Sequence, residues 1–286
     1  MEISVSCSQD TLREIFAFGD GVVDEVIESV KSKIRIPEVR AFYPAQEESE
    51  IVHGQTYGDM LEAFVSPQER DHLLRNIGSI ANLDQKLAWV ARWTNPRLPL
   101  PVLVAAMLLI EQVWFSTAFN IIVAKATLVI NSLPEMVKAN EFIIRNENLH
   151  GDYAAYLMRR YFNYTENGPL QELVELMIGE AREAELAFIR EVTRPLADLE
   201  GNCMYAGVQF PVLYDHLGKT IGTVRVQLNG DRGGGGGGIG SGLNLSLLTA
   251  LGVGKDNFFE NRAPNYQNST AGSESIAAAV ERAFNE

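Results

Sequence analysis

The chain has 286 residues, of which 46% are hydrophobic and 21% charged, and its formal net charge is −13. That length can bury a large core, as one helical domain or two small ones. The acid excess and the lack of any basic block exclude nucleic acid as the main partner. The two cysteines, Cys7 and Cys203, stand far apart and in no metal-like spacing. They read as incidental thiols of a reduced, cytoplasmic protein.

The N-terminus, MEISVSCSQDTLREIF, carries acids and no basic-then-apolar pattern, so no signal peptide is expected there. A short helix is expected over 9–18, with Asp10 as its cap. Helical spacing then predicts elements over 21–34, 38–65, 66–80 and 82–93. Pro44 either kinks or starts the second of these. Ser66 caps the third, with Pro67 at its first position.

Residues 100–130, LPVLVAAMLLIEQVWFSTAFNIIVAKATLVI, are apolar almost throughout, yet hold Glu111. The stretch is long enough to cross a bilayer. An acid at mid-bilayer would cost about 2.5–3.5 kcal/mol, which the neighbouring Leu, Val and Ile can offset. However, Gln112, Ser116, Asn120 and Lys125 add polar load, and no second apolar segment of this length exists. The reading is the central helix of a bundle, with no membrane partner. A buried Glu111 then requires a cation, a hydrogen bond or a metal.

Further helices are expected over 132–162 and 167–192, and a weaker one over 201–218. Residues 220–229 read as a short β-like run. Six consecutive glycines follow, with no GKS/T ending, so they form a flexible loop rather than a phosphate loop. The last segment, 269–286, reads as a mobile tail with room for a short helix. The expected organisation is an all-α helical domain over 1–225, then a Gly-rich linker and C-terminal tail over 226–286.

Two of the four histidines follow a glutamate by three residues: Glu50/His53 in EIVH and Glu147/His150 in ENLH. On a helix such pairs share one face and can reach one metal ion. Ferritin-like dimetal-carboxylate bundles use two Glu-x-x-His helices and one acid from each of two more. Glu111 supplies one such acid. Asp20, Asp24, Glu25 and Glu28 are all candidates for the other, and spacing does not choose between them. Carboxylate-plus-imidazole ligation suits iron or manganese. Tyr57 lies one turn past His53, with Phe115, Phe119 and Ile143 as apolar neighbours on facing helices. A tyrosine there is either a core residue with one satisfied hydroxyl or a phenol open to one-electron oxidation by the adjacent metal pair.

FGDGVV, RAFYPAQEESEIVHGQTYGDML, IEQVWFSTAF, NEFIIRNENLHGDYA and NFFENRAPNYQ stand in this order in the sequence. Together they resemble successive motifs of the small, radical-bearing subunit of ribonucleotide reductase. The resemblance covers residues from about 15 to 210 and again near 257 to 267. It implies a ferritin-like bundle, usually a homodimer, with two iron ions per chain, manganese being the alternative. It implies the ligand set Asp20, Glu50, His53, Glu111, Glu147 and His150, so Asp20 is picked from the open acids. Tyr57 would be the radical tyrosine, caged by Phe115, Phe119 and Ile143. Tyr266 would relay the radical to a large subunit, which docks the C-terminal tail, through Phe284. The function implied is generation of a tyrosyl radical for deoxyribonucleotide synthesis by that large subunit.

Three features depart from the family's pattern. Asn146 stands where the family has an acid bonded to the first metal histidine. No tryptophan matches the N-terminal relay position; Trp89, Trp93 and Trp114 read as core. The glycine run replaces a structured link before the tail. The rival readings are another ferritin-like dimetal oxidase, a catalytically impaired or storage-type metal-binding bundle, and a helical protein whose acids form only salt bridges.

Overall fold

Apolar residues recurring every three to four positions fold into helices, and every long described element is one. The computed structural model describes residues 20–64, 66–68, 83–120, 134–193, 204–205 and 208–230. Some side chains at element ends, Asp20 among them, lie outside that description. In chain order come α1 (Asp20–Lys33), the short α2 (Pro37–Arg40), α3 (Tyr43–Phe64) and α4 (Leu83–Trp93). Then follow α5 (Leu100–Asn120), α6 (Pro134–Phe162), a 3-10 turn (Tyr164–Glu166) and α7 (Gly168–Thr193). The final described elements are two-residue strands β1 (Met204–Tyr205) and β2 (Val208–Gln209), antiparallel, and α8 (Phe210–Asn229).

α5 is the axis of the fold. It is apolar on every side, and a helix of that kind belongs in a core. Its most apolar window is long enough to span a membrane, but is 100% buried inside the protein. Around it pack α6, and also α1, α4 and α7. α3 lies against α1 and α6, and α8 against α6 and α7. Within α5, Ile110–Trp114 widens into a π-helical interval. Such wide turns occur mostly as single insertions in α-helices, frequently at functional sites.

Several expectations change in detail. The stretch over 38–65 divides into α2 and α3, and Pro44 falls at the second residue of α3, where its missing N–H costs nothing. The expected weak helix over 201–218 opens instead as the β1–β2 pairing and becomes helical from Phe210. The β-like run over 220–229 is helix. Leu213, Leu217, Ile221, Val224 and Leu228 are all buried at spacings of three or four, and that burial outweighs the β-preference of the valines and threonines. α8 passes residue 225 and ends at Asn229. Gly230 follows at φ 76°, the left-handed conformation that closes helices. The expected helix over 9–18, most of that over 66–80, and the glycine run and tail lie outside the described residues. The three tryptophans are buried, as read.

Candidate metal centre

Three helices bring the centre together. α3 carries Glu50 and His53, α6 carries Glu147 and His150, and Glu111 stands on the π-helical interval of α5. The one-turn spacing puts each carboxylate and its imidazole on one helix face, and packing turns these faces toward each other. All five side chains are buried. One ligand atom each from Glu50, Glu111, Glu147 and His150 lies within 4.8 Å of all the others.

The contacts have a regular form. His53 Nδ1 lies 3.3 Å from Glu50 Oε2 and 3.0 Å from Glu147 Oε1. His150 Nδ1 lies 3.0 Å from Glu50 Oε1 and 3.3 Å from Glu147 Oε2. Thus Glu50 and Glu147 each offer one oxygen to each imidazole. Glu111 Oε2 stands 3.7 Å from His150 Nδ1. The two rings are 6.5 Å apart between centroids. Both turn Nδ1 inward and Nε2 outward, where His53 meets Asn146 Nδ2 at 3.2 Å and His150 meets Ser49 Oγ at 3.1 Å.

Among the protein's own groups, protons balance the charge. Burial works against a charge on His53, but hydrogen bonds to Glu147 and Glu50 outweigh it and push its pKa up to about 9. Burial likewise opposes the charge on His150, and Glu111, Glu147 and Glu50 push it up to about 12. Burial and the charge of Glu147 hold Glu111 well above the carboxylate range. Burial would also raise Glu147, but bonds to Glu111, His150 and His53 bring it below that range.

The residues fit a metal pair. Among the described residues, Glu50 Oε1 and Glu111 Oε2 are buried without a hydrogen bond of good geometry. Native structures rarely leave buried carboxylate oxygens so. The nearby imidazole protons are too few for all the oxygens present, and cations would satisfy them. The donors are hard oxygens and imidazole nitrogens, with no thiolate, which suits iron or manganese.

Five of the six sequence-derived ligands therefore converge. The sixth, Asp20, is the first residue of α1, and its side chain lies outside the described residues. One turn on, Asp24 is half-buried. Its carboxyl is raised by burial, then by the charge of Glu50, so this face of α1 fronts the cluster. Tyr57 is 3% exposed, and its hydroxyl donates to Asn140 Oδ1 at 3.1 Å. Phe115, Phe119 and Ile143 are buried. Tyr266 and Phe284 lie outside the described residues.

Sequence reasoning missed several neutral side chains around the centre. Gln46 Nε2 donates to Glu111 Oε1 at 2.7 Å. Gln112 Nε2 donates to the carbonyl of Glu147 at 3.0 Å. Asn140 receives the Tyr57 hydroxyl. Position offered a signal for two of them: Gln46 stands four residues before Glu50, and Asn140 seven before Glu147, each on its ligand's helix face.

Fold and site together define an all-α, ferritin-like bundle with a buried carboxylate–histidine cluster at its centre. A family model described as "Ribonucleotide reductase, small chain" matches residues 9–208. The protein belongs to that family. It is 29% identical over 257 residues to the ribonucleoside-diphosphate reductase small chain of Neurospora crassa, covering 58% of the relative and 88% of this chain. The corresponding small chain of Spisula solidissima is 28% identical over 256 residues, 62% of the relative and 88% of this chain. Small chain 1 of Saccharomyces cerevisiae is 29% identical over 256 residues, 59% of the relative and 88% of this chain. The chain thus spans less than two thirds of the length of each of these relatives.

Proposed function

We propose that this protein is the small subunit of a ribonucleoside-diphosphate reductase. It would bind two iron ions, generate a radical on Tyr57, and supply it to a large subunit that makes deoxyribonucleotides. The observation that carries this is the shared use of Glu50 and Glu147 by both imidazoles, together with Glu50 Oε1 and Glu111 Oε2 buried without a hydrogen bond of good geometry. When bound, the metal pair supplies one-electron oxidising power toward a phenol, after reaction with oxygen or a related oxidant.

The rest is done by the protein's own groups. Glu50, Glu111, Glu147, His53, His150 and, by resemblance, Asp20 hold the ions. Gln46 fixes Glu111, and Ser49 fixes the ring of His150; partners of this kind orient ligands and tune the metal. The buried setting of Tyr57, with Phe115, Phe119 and Ile143 as its cage, keeps water from the oxidised ring. Residues 231–286 would form the tail that docks the large subunit, with Tyr266 as the relay. The working unit would be a homodimer in the cytoplasm.

Asn146 favours a second reading. An amide pins the outer nitrogen of His53 but neither balances an imidazolium nor accepts a proton. A bundle that binds metal and fails to pass its oxidising equivalent outward would have this residue. Turnover of ribonucleoside diphosphates with a cognate large subunit separates the two readings.

The test is metal analysis and electron paramagnetic resonance on one sample after loading and oxidation. The expected result is a tyrosyl signal with two iron ions per chain, and Tyr57→Phe keeping the metals and losing the signal. Manganese uptake in place of iron would show in the same analysis. A metal-free bundle after loading, or a signal unchanged in Tyr57→Phe, would overturn the reading.

A further inference from the structure

We infer that Asn140 is the positioning residue for Tyr57: its amide accepts the phenol's hydrogen bond and, turned over, donates one to the oxidised ring. The second half rests on the reading of Tyr57 as the oxidised residue; the first does not.

Tyr57 and Asn140 are 3% and 0% exposed, and the hydroxyl-to-oxygen distance is 3.1 Å. A phenol this deep needs a polar partner. Asn140 sits two turns before Glu147 on α6, and Tyr57 one turn after His53 on α3. Their bond therefore ties the phenol's helix to the helix that carries Glu147 and His150. Asn140 is also three residues from Ile143, which is apolar and buried. It brings a full amide to a place where an alkyl group would serve packing alone.

The amide suits both states of the ring. A phenol has a proton to donate. The ring that has lost one electron and one proton can only accept. The metal pair, when bound and oxidised, would take the electron and the carboxylates that hold it would take the proton, because an amide is too weak a base to keep it. Before that step Asn140 presents its oxygen. Afterwards a half-turn about its last torsion presents its NH2, with no charge moved. A carboxylate here would compete for the proton, and an alkyl group would hold neither state.

The unaltered 286-residue chain, Asn140→Leu, Tyr57→Phe and the double variant test this in two stages. Urea unfolding of the metal-free proteins comes first. Each single substitution removes the bond between Tyr57 and Asn140 and should lower the midpoint; the double variant should fall by clearly less than the two losses added. Strictly additive losses would overturn the acceptor half. After iron loading and oxidation, wild type should show an exchangeable deuteron coupled to the ring oxygen in D2O, and a lowered largest g value. Asn140→Leu should keep its metals, lose that coupling and show a higher g value. Identical spectra would overturn the donor half. If Asn140→Leu does not fold, Asn140→Met, flexible enough to fill the same space, carries the same expectations. Full metal loading with no radical in wild type would sink the reading of Tyr57 and with it the donor half, while the urea result still decides the acceptor half.

Discussion

Gly151 follows His150 directly on α6, and the place its Cβ would occupy is already taken. A methyl group there would stand 2.1 Å from Gln112 Nε2 and 2.6 Å from Gln112 Cδ. The glycine lets Gln112 cross from α5 and hold the carbonyl of Glu147. Gly151→Ala should therefore lower stability by about 1–3 kcal/mol through overpacking, and weaken metal uptake as Glu147 loses its support. Gly179, exposed within α7, has nothing within 4 Å of the same position. Gly179→Ala should raise stability by roughly 0.5–1 kcal/mol. Chemical denaturation of both variants, with metal analysis of the first, checks the pair. The same contrast shows what the residues announced in advance. Glu-x-x-His is a spacing of charged and ligating groups, so both pairs were legible in one dimension. Gln46, Gln112 and Asn140 are neutral amides with no such signature; helical spacing from Glu50 and Glu147 pointed to the first and last, and only helix packing brings Gln112 to the site.

Between elements, α4 and α7 share a buried ion pair. Lys86 Nζ lies 2.7 Å from Glu185 Oε2, with side chains 1% and 0% exposed. It also stands over the rings of Phe188 and Trp114, at 4.1 and 4.8 Å. Burial lowers the lysine's pKa, and Glu185 opposes the shift. Lys86→Met should cost about 3–5 kcal/mol by leaving a buried carboxylate uncompensated. Lys86→Met with Glu185→Leu should recover much of that loss in the same unfolding assay.

α8 meets α5 through a histidine. Asn120 Nδ2 donates to the carbonyl of Ser116 and to His216 Nε2, at 2.7 and 2.6 Å. Since Nε2 accepts, the neutral ring carries its proton on Nδ1, and an amide NH2 faces any second proton. Burial, then Lys219, pull the pKa of His216 down to about 4, against a smaller pull upward from Asp215. The unfolded protein protonates near 6.5 and the folded one does not, so stability should fall as pH drops from about 6.5 to about 4. The loss should total roughly 3 kcal/mol. Denaturation midpoints across that range should show it, and His216→Gln should flatten the slope. α8 was also the element least legible beforehand. Thr, Val and Ile over 220–226 suggested a strand, although the buried set from Leu213 to Leu228 already had helical spacing.

For the molecule as a whole, helical spacing and one wholly apolar segment were enough to foresee an all-α bundle around α5. The partner faces were not foreseeable. Ile51 and Val52 on α3 are 57% and 53% exposed, and Phe142 and Leu149 on α6 are 43% and 45% exposed. Apolar side chains left outside on the two helices that carry the Glu-x-x-His pairs support the proposed dimer. Sedimentation of the 286-residue chain should give twice the 31.6 kDa mass of one copy, and Ile51→Lys with Leu149→Lys should shift it toward a single copy without loss of metal.

The wide interval at Ile110–Trp114 has a mechanical consequence for this architecture. A widened turn takes up a residue that a straight helix would spend on further rotation, about 100° per residue. Rewinding the interval as ordinary α-helix with every residue kept would swing the downstream half, Phe115 and Phe119 included, by about a quarter-turn, whereas removing one residue would leave that half in phase. The upstream half, anchored by Val104 and Leu108, would stay where it is. The interval thus acts as a phase adjuster: it lets one rod keep a carboxylate aimed at the carboxylate–imidazole cluster while its far end keeps a different set of side chains in place.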